Sequence, residues 1–153
     1  MTQQASSTYT SYTGWMRKKK IAKPMFLHTM LRVRDFDATL RFYVDTLGMK
    51  VFDRIEITER RATAMFIGFD DLEAGGCLEL IHPWDFNGAF TPGTGYGHVS
   101  VGVPDLRATF TKLTDLGVEV IQPPGVVTTG APFCAFVKDP DGYAVEIVQM
   151  GGD

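Results

Sequence analysis

One stretch of this chain is written twice, and the repetition constrains its architecture more than any local propensity does. His28-Thr29-Met30-Leu31-Arg32-Val33 recurs as His98-Val99-Ser100-Val101-Gly102-Val103. Asp35 recurs as Asp105 and Ala38-Thr39 as Ala108-Thr109; Leu47-Gly48-Met49-Lys50-Val51 recurs as Leu116-Gly117-Val118-Glu119-Val120 after one deletion. Self-similarity of this kind marks a duplicated structural unit. In the first copy, 26–33 is β-prone, and Asp35 is placed to cap a helix whose Phe36, Leu40, Tyr43 and Leu47 recur at helical spacing. Gly48 is a natural helix stop, and 49–57, 62–69 and 76–82 read as strands. A glycine-rich loop over 84–97 precedes the second copy, whose later strands fall near 118–121, 133–138 and 143–149. The pattern predicts an α+β protein of tandem βαβββ modules, at about 25–83 and 97–150, in one domain over 25–153 behind an arm of 1–24.

The duplication gives meaning to four polar residues. A histidine heads the first strand of each copy and a glutamate interrupts the last, so His28 goes with Glu79 and His98 with Glu146. The last strand follows the turn Asp139-Pro140-Asp141-Gly142, in which Pro140 presets φ and Gly142 supplies a positive φ. Side chains alternate along a strand, so Glu146 shares a face with Ala144 and Val148, where a charge needs a counter-ion or a metal. A lone strand histidine is more often a core residue than a ligand, and a single carboxylate often marks a sheet edge. Four such residues at equivalent places are different. Two copies packed about a pseudo-twofold axis gather two imidazoles and two carboxylates, a His2Glu2 set suited to a divalent cation.

Alternation also predicts the surroundings. Phe26, Met30 and Arg32 share the His28 face, and Ser100 and Gly102 the His98 face. Arg32 in such a cavity points to an anionic substrate group, or else to a salt bridge with a neighbouring acid. Cys77 shares the Glu79 face as a small hydrophobe or a thiol ligand. His82 reads as solvated, past the end of its strand beside Pro83. The glycines of 93–97 lead into a strand rather than a helix N-terminus, which argues against nucleotide binding.

Charge and composition exclude several classes. Residues 1–24 hold Arg17, Lys18, Lys19, Lys20 and Lys23 and no acid, so the formal net charge of −3 divides into +5 for the arm and −8 for the body. An acidic body argues against nucleic acid as partner. There is no apolar run near the roughly 20 residues needed to cross a membrane. Two cysteines do not make a disulfide framework, and with no apolar core for a secretory signal in the arm the expected location is the cytoplasm. The arm, with Tyr9, Tyr12 and Trp15, reads either as a targeting segment or as an extension packed on the body or on a second subunit.

Several motifs together resemble the glyoxalase I family of the vicinal oxygen chelate superfamily. They are 27–33, Phe42-Tyr43 with Leu47-Gly48-Met49-Lys50, Leu78-Glu79-Leu80, Tyr96-Gly97-His98, and Asp139-Pro140-Asp141-Gly142-Tyr143 with Glu146. The resemblance runs from about Phe26 to Gln149. It implies an eight-stranded metal-binding cup, commonly completed across a homodimer, with His28, Glu79, His98 and Glu146 as metal ligands. Glu146 would also be the catalytic base and Arg32 a contact to glutathione. The implied activity is a lyase that isomerises the glutathione–methylglyoxal hemithioacetal to S-lactoylglutathione. The compact chain resembles the nickel- or cobalt-activated class, with zinc an alternative. One departure lies on the substrate side: Pro83 stands where the family usually has an asparagine that contacts glutathione. Two alternatives stay open, another metalloenzyme of the superfamily acting on a different substrate, and a non-catalytic small-molecule binding protein on the same scaffold.

Overall fold

The computed structural model describes residues 11–69 and 76–151. The first ten residues of the arm, Tyr9 among them, lie outside the described residues. The chain divides into two compact units, Met1–Arg32 with Met49–Asp85, and Val33–Gly48 with Phe86–Asp153.

In the first unit, helix α1 (Tyr12–Lys18) precedes strands β1 (His28–Arg32), β2 (Lys50–Ile57), β3 (Ala62–Gly68) and β4 (Cys77–Pro83). The sheet order is β1-β4-β3-β2, with β1 parallel to β4 and the other pairs antiparallel. The arm therefore carries a helix of its own. Ser11 caps it by accepting from the Gly14 amide at 3.0 Å, and Tyr12 and Trp15 bury themselves against Ala64, Phe66 and Cys77. At the far edge, β2 bulges between Val51 and Asp53. His82 lies inside β4, half-buried opposite Thr63, and not past the end of the strand as its neighbour Pro83 suggests. The ladder outlasts the proline because the next amide, Trp84, donates to the Arg61 carbonyl at 2.9 Å.

The second unit holds α2 (Phe36–Leu40), a π-helix (Arg41–Thr46), β5 (Val99–Val103), α3 (Leu106–Asp115), β6 (Val120–Val126), β7 (Phe133–Lys138) and β8 (Ala144–Gln149). Its sheet order, β5-β8-β7-β6, reproduces that of the first unit, again with the first strand parallel to the last. The α+β duplication is thus met strand for strand. Asp35 and Asp105 cap α2 and α3 by accepting from the amides of Ala38 and Ala108 at 3.2 and 2.9 Å. Gly48 and Gly117 end the two helical segments at φ +86° and +85°. The expected single helical period gives way to the π-helix, whose wider turn sends both Phe42 and Tyr43 fully inward. β6 runs further than expected, through Pro123 and Pro124, which an edge strand tolerates.

The Asp139–Gly142 turn is a buried polar knot. Asp139 Oδ2 accepts from the Tyr43 hydroxyl at 2.8 Å, and Oδ1 accepts from the amides of Asp141 and Tyr143 at 2.9 and 3.0 Å. Arg34 donates from Nε to Asp141 Oδ1 at 3.1 Å. Gly142 adopts φ +88°, the left-handed conformation that closes the turn into β8.

Candidate metal centre

Each sheet places one histidine and one glutamate side by side, and by the same device. In the first unit Glu79 on β4 stands opposite Met30, two residues beyond His28 on β1. In the second, Glu146 on β8 stands opposite Ser100, two residues beyond His98. Parallel pairing with that offset lets the imidazole reach along the strand to the carboxylate. His28 Nε2 lies 3.1 Å from Glu79 Oε2, and His98 Nε2 lies 3.3 Å from Glu146 Oε2. Behind each histidine a phenylalanine presents its ring nearly at right angles, Phe66 and Phe136, both with centroids 5.3 Å away. The carboxylates occupy the half-covered faces of their strands, whereas Val145 and Ile147 on the other face of β8 are fully buried.

The four predicted ligands are thus brought together as two pairs. Among the described residues, no group of three or more histidine, cysteine, aspartate or glutamate side chains is placed to hold a metal ion. Each pair fits half of a site. Two donors about 2.1 Å from one divalent cation and at a right angle stand about 3 Å apart, which is the spacing both pairs show. Imidazole nitrogen and carboxylate oxygen are also donors that nickel, cobalt and zinc accept. The second pair stays open, with the His98 side chain 43% exposed.

The surroundings give partners to two residues that the sequence names without a role. Ser100 donates from Oγ to Glu146 Oε2 at 2.7 Å, fixing the carboxylate oxygen that faces His98. The Tyr12 hydroxyl lies 3.2 Å from His28 Nδ1, on the far side of the ring from Glu79. The signal for Tyr12 was present in the sequence: Ser11 is a helix cap, and Tyr12, Trp15 and Met16 follow at helical spacing. Burial, with a hydrogen bond to Cys77, pushes the Tyr12 phenol above its usual range, so it stays protonated. Burial likewise raises the thiols of Cys77 and Cys134, which keeps both from serving as ready nucleophiles. Arg32 is exposed at the end of β1, opposite Ile81. Pro83 closes β4 opposite Ala62.

No helix among the described residues is long and apolar enough to cross a membrane. Residues 25–147 match the model of the Glyoxalase/Bleomycin resistance protein/Dioxygenase superfamily. The lactoylglutathione lyase of Haemophilus influenzae is 40% identical over 123 residues, 80% of this chain and 90% of its own length. Among solved structures, glyoxalase I from Zea mays superposes with a TM-score of 0.75 at 29% identity, covering 83% of this chain. This chain spans only 45% of that maize chain. The trypanothione-dependent glyoxalase I of Leishmania major gives a TM-score of 0.73 at 31% identity, covering 83% of this chain and 87% of its own.

Proposed function

This chain belongs to the Glyoxalase/Bleomycin resistance protein/Dioxygenase superfamily, and we propose that it is a lactoylglutathione lyase, a metal-dependent enzyme of methylglyoxal detoxification. The observation that carries the reading is the repeated pair, His28 with Glu79 and His98 with Glu146, at 3.1 and 3.3 Å. These four side chains would hold one divalent cation, nickel or cobalt by resemblance to the compact class, with zinc also accepted by the donor set. When bound, the cation supplies Lewis acidity that makes the carbon-bound proton of the hemithioacetal more acidic.

The substrate is the hemithioacetal that forms spontaneously from methylglyoxal and glutathione. Glu146 removes the proton from C1, leaving an enediolate, and returns it to C2, while the proton of the C1 hydroxyl passes to the C2 oxygen. The product is a 2-hydroxyacyl thioester, and atoms and electrons balance without a co-reactant. Ser100 holds the Glu146 oxygen in place between the two transfers. Arg32 on the His28 strand offers its guanidinium to a carboxylate of the thiol. By resemblance to the family the reading includes a homodimer, in which His28 and Glu79 of one protomer would meet His98 and Glu146 of its partner. The two free cysteines suit the cytoplasm.

A second reading concerns the thiol. The Leishmania major relative is trypanothione-dependent, and Pro83 offers no hydrogen-bonding side chain where the family usually has asparagine, so this chain could act on a hemithioacetal of another thiol. The test is thioester formation from methylglyoxal by metal-stripped protein reloaded in parallel with nickel, cobalt or zinc, using glutathione and other thiols. Activity restored by nickel or cobalt with glutathione is the expected result. Silence with every metal and thiol, in protein that binds metal, contradicts the reading.

A further inference from the structure

We propose that Tyr12 is a positioning residue of the metal site, whose hydroxyl holds His28 through Nδ1 so that Nε2 faces the cation. The inference rests on the metal reading above and extends it to a residue of the N-terminal arm.

The geometry is specific. His28 is gripped at both ring nitrogens, by Tyr12 at 3.2 Å on Nδ1 and by Glu79 at 3.1 Å on Nε2. The tyrosine has little freedom, being 2% exposed. Its ring lies 4.7 Å from that of Phe66, stacks on Trp15 at 5.7 Å and meets His28 edge-on at 5.9 Å. The helix that carries it is tied to β2, because Thr13 donates to Asp53 Oδ2 from both its hydroxyl, at 2.6 Å, and its amide, at 3.1 Å. Tyr12 is therefore fixed against the sheet independently of the histidine it touches.

A hydroxyl suits this place because it can both donate and accept. Without metal, Nε2–H donates to Glu79 and Nδ1 accepts from the tyrosine. For Nε2 to hold a cation it must give up its proton, and the ring then carries the proton on Nδ1, where the tyrosine oxygen accepts it. The same contact serves both tautomers, and the ring need not turn. The second repeat uses its tyrosine otherwise: Tyr96, two residues before His98, donates to the Ala144 carbonyl at 2.9 Å. The arm thus gives the duplicated scaffold an asymmetry: among the described residues, a tyrosine holds His28 and not His98.

The test is cobalt binding by the full-length chain, read by calorimetry and by the visible absorption of the bound ion. Wild type is compared with Tyr12→Phe, His28→Ala and, as a control on the same helix, Trp15→Phe. Removing an outer partner of a ligand histidine typically costs about 10- to 100-fold in affinity. Tyr12→Phe is expected to bind at least about tenfold more weakly with an altered spectrum, and Trp15→Phe to stay within about twofold of wild type. Unchanged cobalt affinity in folded Tyr12→Phe overturns the inference, and so does tighter binding, which would make α1 a plug over the half-site. Wild type that binds no cobalt overturns the metal reading itself, and this inference with it. Should Tyr12→Phe fail to fold, histidine nitrogen NMR of zinc-loaded wild type decides. A protonated, exchange-protected Nδ1 on His28 supports the inference, and a metal-bound or freely exchanging Nδ1 overturns it.

Discussion

Ser100 Oγ lies 2.7 Å from Glu146 Oε2, the same oxygen that faces His98 Nε2 at 3.3 Å. One carboxylate oxygen is thus fixed by two neighbours, which leaves the other for the proposed proton transfer. An exposed hydrogen bond to a charged group contributes at most on the order of 1 kcal/mol, which corresponds to about fivefold in rate. Ser100→Ala should therefore lower kcat by up to about fivefold and leave metal content unchanged. Steady-state kinetics with metal analysis checks both halves of that expectation.

A site shared between protomers, as proposed, would show itself in complementation of a defined size. A chain with His28 and Glu79 replaced by alanine and a chain with His98 and Glu146 replaced should each be inactive alone. If sites form across the dimer, each mixed dimer has one intact site and one doubly damaged one. Random exchange of equal amounts should restore about a quarter of wild-type activity. No recovery after demonstrated exchange would place all four donors in one chain.

The Asp139 knot makes stability depend on pH in a defined direction. Burial pushes the Asp139 carboxyl from 3.8 up to about 6, while the Tyr43 hydroxyl and the Tyr143 and Asp141 amides pull against it. The folded state therefore holds a proton that the unfolded chain has already released. Asp139 contributes stability below pH 4 that is lost as pH rises through about 6. By linkage, the loss across that window is about 3 kcal/mol. Asp139→Asn should flatten that part of the profile, at the cost of the hydrogen bond that Oδ2 accepts from the Tyr43 hydroxyl, because an amide nitrogen in that place cannot accept it. Urea titrations of wild type and variant between pH 4 and 8 measure the difference.

Much of this was legible because the chain repeats itself. His28 and His98 head matching strands, and their pairing with Glu79 and Glu146 followed from position in the duplicated unit. The helix stop at Gly48 and the turn at Gly142 were legible because positive φ is a strictly local demand. What escaped depends on partners distant in sequence. The π-helix over Arg41–Thr46 brings Phe42 and Tyr43 inward together, and Tyr43 finds Asp139 nearly a hundred residues on. Tyr12 could be read as helical, yet nothing in the arm says that its hydroxyl ends on His28. His82 was misplaced because Pro83 reads as a break, whereas Trp84 carries the ladder past it.

Glu146 is proposed to move the substrate proton within a site that also needs Glu79. The most direct measurement is kcat together with bound metal for Glu146→Gln and Glu79→Gln, each folded as wild type. General acid–base catalysis contributes roughly a hundredfold to ten-thousandfold. Glu146→Gln should lose at least about a hundredfold in kcat while still holding metal, and Glu79→Gln should lose activity in step with its metal. Glu146→Gln turning over within a few-fold of wild type, metal bound, would contradict that role for Glu146.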